Sequence, residues 1–369
     1  MKRGRLARSQ YHRKSMKKIR VLVADDSALM RQTLKRIIAA SADFDLVGLA
    51  RDGEDAVSKA RELRPDVISM DINMPKLDGI TALQIILQEK ICPVVMVSSL
   101  TQQGTTTTFE CLELGAFDFV AKPDGTVSSN LGAVADELIS KLKAAACRGI
   151  VDRTQRTRER RQPNQAPAGT TFGNITRKRA IAIGISTGGP ATLQEVLPLI
   201  PADLPASIFL VQHMPPSFIS SFAKRLGDNC AIKVVEGRSG MSVEPSVCYV
   251  APGGMHLCLH RKMTGEVVIR TPTTPATLFV PSVGVMMESV LKVYGADTVG
   301  VLMTGIGDDG ADQMVAIRNA GGHTIAESEQ TAVVYGMPRE AIERGGACVV
   351  APSHQVAGEI LKTVRRTIQ

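Results

Sequence analysis

The chain contains no tryptophan, and Phe and Tyr bring its aromatic content to only 4%. That scarcity disfavours binding of single-stranded nucleic acid, which stacks successive bases on aromatic side chains. No apolar run approaches the roughly 18 residues that cross a bilayer as a helix, so no transmembrane segment is expected. The first twenty residues hold nine Lys/Arg and no acid, yet no apolar stretch follows them, which argues against a signal peptide. Paired cysteine is missing too. The seven Cys are odd in number and show no C-x-x-C spacing. Scattered free thiols suit a reducing cytoplasm, some of them serving as small core hydrophobes. A cytoplasmic protein is expected.

The net charge of +8 is unevenly spread. Residues 1–20 carry +9 and residues 148–179 carry +7, which leaves −8 on the rest of the chain. Basicity therefore resides in a tail and a linker, and a folded nucleic-acid-binding face is disfavoured. Met16 offers an alternative start to the polypeptide.

A length of 369 residues exceeds one ordinary core and predicts two domains. From residue 19 short apolar runs alternate with helical patterns: IRVLVA (19–24), DLVGLA (45–50), DVISMD (66–71), PVVMVSS (93–99) and FDFVAKP (117–123) read as strands. Ser27 is placed to cap the first helix, and Leu131 to Ala145 reads as a closing helix. Five such units predict a flavodoxin-like, doubly wound parallel sheet. The expected divisions are a basic extension (1–18), a first domain (19–140), a linker (141–178) rich in Arg, Gln, Thr, Pro and Gly, and a second, larger α/β domain (179–369). The second domain opens on RAIAIGIS (179–186), continues through SIFLVQH (207–213) and a more β-rich stretch (231–270), then returns to alternation at TVGVLMT (298–304) and HTIAE (323–327).

Ligands of open parallel sheets bind outside the carboxyl ends of the strands. In the first domain those ends carry Asp25 and Asp26, Asp71, Ser98 and Ser99, and Lys122. Converging carboxylates repel one another unless a hard cation such as Mg²⁺ sits among them. One then remains as a nucleophile toward a phosphoryl donor, with Lys122 and a hydroxyl holding the new oxygens. An Asp-Asp pair alone reads equally well as a turn or cap; DDS, MDINMPKLDG, VSS and AKP in order do not. Over residues 19–140 the chain resembles the response-regulator receiver family. The resemblance implies Asp71 as phosphoacceptor and Asp26, Asp71 and the backbone carbonyl of Asn73 as Mg²⁺ ligands, with Asp25 assisting. It implies Ser98 as the hydroxyl switch and Phe119 at the position of a rotating aromatic.

In the second domain Gly184-Ile185-Ser186-Thr187-Gly188 satisfies G-x-S-x-G, whose glycines let a serine sit exposed on a strand-to-helix turn. Alone it reads also as a phosphate-binding turn. His213 ends the next strand, and Asp309 follows a later one within GIGDDG. Ser, His and Asp at strand ends of one sheet predict a nucleophile, a base and an orienting acid. Their order differs from the Ser, Asp, His order of α/β-hydrolases. GIGDDG also matches G-x-G-x-x-G, with Glu327 at a spacing that allows a dinucleotide-binding alternative. An output domain that only binds, with no chemistry, is a further alternative, and a DNA-binding output is the weakest.

Over residues 178–366 the chain closely resembles the chemotaxis protein-glutamate methylesterase family (CheB), on IGISTGGP, VQHMPPSF, YVAPGGMH, VLMTGIGDDGADQM and YGMPREAI. The resemblance implies a serine hydrolase that cleaves glutamate γ-methyl esters on chemoreceptors and often deamidates receptor glutamines, phosphorylated by a chemotaxis-type histidine kinase. It implies Ser186, His213 and Asp309 as catalytic residues, the Ile306 backbone N–H in the oxyanion hole, and no cofactor in the catalytic domain. Ile306 departs from the family's usual Met, Ile185 from a smaller residue, and Asp308 from a frequent Asn.

Overall fold

The computed structural model describes residues 17–99, 101–122, 131–149 and 179–365. Most of the basic extension, most of the expected linker and Pro123 of the AKP motif lie outside the described residues.

The first sheet is built from β1 (Ile19–Ala24), β2 (Phe44–Ala50), β3 (Val67–Asp71), β4 (Val94–Ser98) and β5 (Asp118–Ala121). All pairings are parallel, in the order β2-β1-β3-β4-β5. That is the flavodoxin-like order. Runs such as Val21-Leu22-Val23 are buried on both faces because helices cover the sheet on either side. Those helices are α1 (Ala28–Ala40), α2 (Gly53–Leu63), α3 (Gly79–Gln88), α4 (Gln102–Leu114) and α5 (Leu131–Arg148). Ser27 caps α1 as expected, its Oγ accepting from the Met30 N–H at 3.3 Å. Helix α5 continues to Arg148, past the boundary expected at residue 140.

The second sheet has seven parallel strands in the order β14-β13-β12-β6-β7-β9-β8. These are β6 (Arg179–Ile185), β7 (Ala206–Gln212), β8 (Lys233–Glu236), β9 (Val247–Val250), β12 (Thr298–Leu302), β13 (His323–Glu327) and β14 (Val349–Ala351). A separate antiparallel pair, β10 (Cys258–Arg261) with β11 (Val267–Arg270), supplies the rest of the β-rich stretch. The helices are α6 (Gly189–Val196), α7 (Pro216–Gly227), α8 (Val283–Tyr294), α9 (Ala311–Asn319), α10 (Met337–Glu343) and α11 (Ser353–Arg365). The chain starts in the middle of this sheet at β6, builds outward through β7, and later returns to β6's other side as β12. The crevice between β6 and β12 is thus the topological switch point, where ligands of open sheets bind.

The domains meet through aromatic side chains. Phe119 of β5 packs on Phe218 of α7 at 4.5 Å between ring centroids, and Phe109 of α4 lies 6.1 Å from Phe218 and 6.0 Å from Phe222. Glu113 of α4 pairs with Arg225 of α7 at 2.6 Å. The pair is partly exposed, so it contributes at most about 1 kcal/mol, and the buried rings dominate.

Candidate active site and receiver pocket

Ser186 leaves β6 at the switch point and is 9% exposed. Its N–H donates to Thr304 O at 2.9 Å, and its carbonyl accepts from the Gly189 N–H (2.8 Å) and Gln212 Nε2 (2.9 Å). Gln212 Nε2 also donates to His213 O at 2.9 Å, so one buried amide ties the backbone of Ser186 to that of His213. Gly188 adopts φ +76°, a conformation that suits glycine, and begins the turn into α6. A Cβ on Gly305 would fall 2.8 Å from Ser186 Cβ, so the missing side chain lets the Thr304–Ile306 segment run directly against the serine. The Gly305 N–H is spent on Val334 O, whereas the next N–H, that of Ile306, has no acceptor among the described residues.

His213 Nε2 lies 2.9 Å from Asp309 Oδ2, and the ring is stacked on Phe279 at 4.3 Å. Its Nδ1 is buried and without a partner. Two of the three predicted residues are therefore joined, while the Ser186–His213 hydrogen bond is not made. With Nε2 committed to the acid, Nδ1 is the nitrogen left to face a serine. The contact with the acid thus runs through Nε2, where the general Ser-His-Asp template uses Nδ1.

Asp309 is held at the N-terminus of α8. It accepts from Ser282 Oγ (2.9 Å), the Val283 N–H (2.7 Å) and the Gly284 N–H (2.9 Å). Burial alone would raise its pKa; the bonds from His213, Gly284 and Val283 outweigh burial and hold the carboxyl below its ordinary value. A carboxyl whose folded pKa is depressed stabilises the fold fully above the unfolded value, ordinarily near 3.8, and less as pH falls through the folded value. Acid unfolding of an Asp309→Asn variant should accordingly depend less steeply on pH below about 4 than that of the unsubstituted chain.

Glu327 does not serve a dinucleotide. It is fully buried, accepting the Thr304 N–H at 2.8 Å and Thr331 Oγ1 at 2.9 Å, so it braces the loop that carries Ile306. Sequence reasoning missed Ser282, Phe279 and the linking role of Gln212. Only Ser282 left a sign, as a cap-type residue just before a helical run.

At the first sheet's edge, ligand-type oxygens of Asp25, Asp26 and Asp71 lie within 4.8 Å of one another. Lys122 Nζ reaches Asp71 Oδ2 at 2.8 Å and Asp25 Oδ2 at 3.0 Å. Despite that contact, Asp25 Oδ2 is buried without a well-aligned hydrogen bond. Three crowded carboxylates with such an oxygen suit a hard divalent cation. Burial raises the Asp71 pKa and outweighs the opposing effect of Lys122. For Lys122, burial works downward, but Asp71 and Asp25 prevail and hold the ammonium above its ordinary pKa. Ser98 is brought to the same strand end, yet its Oγ is turned away: it accepts from Thr108 Oγ1 at 2.7 Å and lies 3.3 Å from Gly104 O, both on α4. Phe119 is buried in the domain contact. Asn73 is exposed, its N–H 3.4 Å from Asp71 Oδ1.

A phosphoacceptor-type pocket joined to a sheet with Ser, His and Asp at its switch point defines a response regulator with a hydrolase-type output domain. A response regulator receiver domain model matches residues 21–127, and a CheB methylesterase model matches residues 181–360. "Protein-glutamate methylesterase/protein-glutamine glutaminase 3" of Syntrophomonas wolfei is 57% identical over 94% of this chain and 100% of its own length. The corresponding protein of Caldanaerobacter subterraneus is 50% identical over 94% of this chain and 97% of its own. Among solved structures, the catalytic domain of Thermotoga maritima CheB methylesterase is 35% identical, covering 50% of this chain and 98% of that one, with a TM-score of 0.49. The chain belongs to the CheB methylesterase family. Among its described residues, no helix is long and apolar enough to cross a membrane.

Proposed function

We propose that this chain is a cytoplasmic, phosphorylation-activated protein-glutamate methylesterase acting on chemoreceptors, and a glutaminase toward receptor glutamines. The observation that carries this reading is the buried His213 ring, joined to Asp309 at 2.9 Å and offering a free Nδ1 at the switch point where Ser186 emerges. Ser186 Oγ attacks the ester carbonyl while Nδ1 takes its proton; the C–O bond breaks and methanol leaves with that proton. Water, deprotonated at the same nitrogen, then releases the glutamate acid and restores Ser186. With glutamine the leaving group is ammonia. The Ile306 N–H faces the developing oxyanion, a contact of a type that contributes about 3 kcal/mol. Because that donor is backbone, Ile in place of Met leaves it intact.

Asp71 accepts a phosphoryl group from a chemotaxis-type histidine kinase. Asp25, Asp26, Asp71 and the Asn73 carbonyl would hold Mg²⁺, which neutralises charge on the transferring phosphoryl group. Lys122 pairs with the oxygens of the product, and Ser98 leaves Thr108 to join them. In the unphosphorylated state the receiver leans on the catalytic loops. Asp118 Oδ2 lies 3.4 Å from the Gly188 N–H, and Val333 and Val334 pack against the receiver core. Phosphorylation shifts the population away from this packing.

Asp71→Asn should keep basal turnover and lose all stimulation by a small acyl phosphate; equal stimulation would contradict gating at Asp71. Glu113→Lys sets two cations against each other across the contact and should raise unphosphorylated turnover by up to about fivefold, the scale of 1 kcal/mol. The reading as a whole is tested by methanol release from membranes bearing methylated receptors, with and without phosphodonor. Release stimulated by the phosphodonor supports it, and receptors left fully methylated in both conditions would sink it.

A further inference from the structure

Behind the His213–Asp309 pair sits a second imidazole with both ring nitrogens occupied. His256 is fully buried. Its Nδ1 accepts the backbone N–H of Ser282 at 3.1 Å, which places the ring proton on Nε2, and Nε2–H donates to Pro275 O at 2.9 Å. Its own backbone N–H donates to Pro272 O at 2.8 Å. Three bonds from one residue thus fix three points of the segment between β11 and α8, a stretch without regular structure whose residues 273–278 are all exposed.

That segment touches the His213–Asp309 pair at both members. Phe279 covers one face of the His213 ring at 4.3 Å. Ser282, whose N–H is held by His256, donates its Oγ to Asp309 Oδ1 at 2.9 Å, and the next two N–H groups, of Val283 and Gly284, complete the acid's cradle. The ring plane of His213 and the carboxylate at its Nε2 are therefore both set by chain that His256 anchors. An apolar side chain of the same volume would fill the space but leave the buried Ser282 N–H unpaired and forfeit the bond to Pro275 O.

We propose that His256 is a positioning residue for this hydrolase: it acts through Ser282 and Phe279 to hold Asp309 and the His213 ring in register, and its Nδ1 side carries the greater share. The inference rests on the reading of Ser186, His213 and Asp309 given above. It reaches beyond that reading by assigning a role to an imidazole that never meets substrate.

Two polar replacements in the full-length chain separate the two ring nitrogens. His256→Asn keeps an acceptor near the position of Nδ1, and His256→Gln keeps a donor toward Pro275 but abandons the Ser282 N–H. The first readout is the downfield proton resonance of the His213 Nε2–H shared with Asp309, which needs no substrate and is identified by its loss in His213→Gln. It should persist in His256→Asn and vanish in His256→Gln. The second is methanol release: His256→Gln should lose about 10²-fold in kcat with KM little changed, and His256→Asn should recover most of that loss. If both variants melt earlier but keep the resonance and kcat, His256 is only a structural latch and the proposal falls. Equal losses in the two variants, or no such resonance in the unsubstituted chain, would also overturn it. Should the resonances behave as expected while the unsubstituted chain releases no methanol, the methylesterase reading fails and the positioning role stands.

Discussion

Replacing Ser186 by Ala is expected to lower methanol release by about 10⁴-fold or more, the scale seen when a triad nucleophile is removed. The change deletes one oxygen from a side chain that makes no hydrogen bond with His213, so the fold has nothing to lose from it. Backbone bonds from Ser186 to Thr304, Gly189 and Gln212 do not involve the hydroxyl and remain. Thermal unfolding of the variant should therefore match that of the unsubstituted chain, and the shared proton between His213 and Asp309 should stay in place. Turnover that survives this substitution would assign the chemistry to another group.

Asp309→Asn is expected to cost about 10⁴-fold in kcat, for a reason that involves the proton's address and not charge alone. The carboxylate receives four donors: His213 Nε2, Ser282 Oγ, and the N–H groups of Val283 and Gly284. An amide offers one oxygen and one NH₂. Whichever way it turns, its NH₂ faces a group that is itself a donor. If the NH₂ faces His213, the ring takes the opposite tautomer, with its proton on Nδ1, and can no longer accept from Ser186. If it faces Ser282 and Gly284, a backbone donor at the start of α8 goes unpaired at a cost of about 1–3 kcal/mol. The variant should thus show both a fall in kcat and a modest fall in stability, whereas Ser186→Ala shows only the first.

The strands that position both sites were readable because each is a continuous run of β-branched and small apolar residues buried on both faces, as in Val21–Ala24 and Ala180–Ile185. Helix α10 and strand β14 went unread. The first spans only seven residues, Met337 and Pro338 among them, and the second is a three-residue edge strand with Val350 half exposed. Neither is long enough to show a period. The convergence of Asp25, Asp26, Asp71 and Lys122 could be foreseen because strand ends of a parallel sheet gather at one edge. The turning of Ser98 toward Thr108 could not, since a rotamer answers to a neighbour on another element.

A similar division runs through the proposed catalytic site. Ser186, His213 and Asp309 announce themselves at the ends of β6, β7 and β12, and adjacency in the sheet does the rest. Which ring nitrogen meets the acid depends on Ser282 and α8 reaching Asp309 across more than twenty residues of chain. The domain contact was hidden for another reason. Phe109, Phe218 and Phe222 look like ordinary core positions of their own domains, Phe119 reads as a receiver switch residue, and nothing in their spacing tells a shared core from a private one.

The most direct measurement of the catalytic claim is site-mapped labelling of the phosphorylated full-length chain by a fluorophosphonate. A single covalent adduct at Ser186, abolished in His213→Ala and restored to no other serine, is the predicted result. Labelling that leaves Ser186 unmodified, or that proceeds equally well without His213, would contradict a hydroxyl activated by that imidazole.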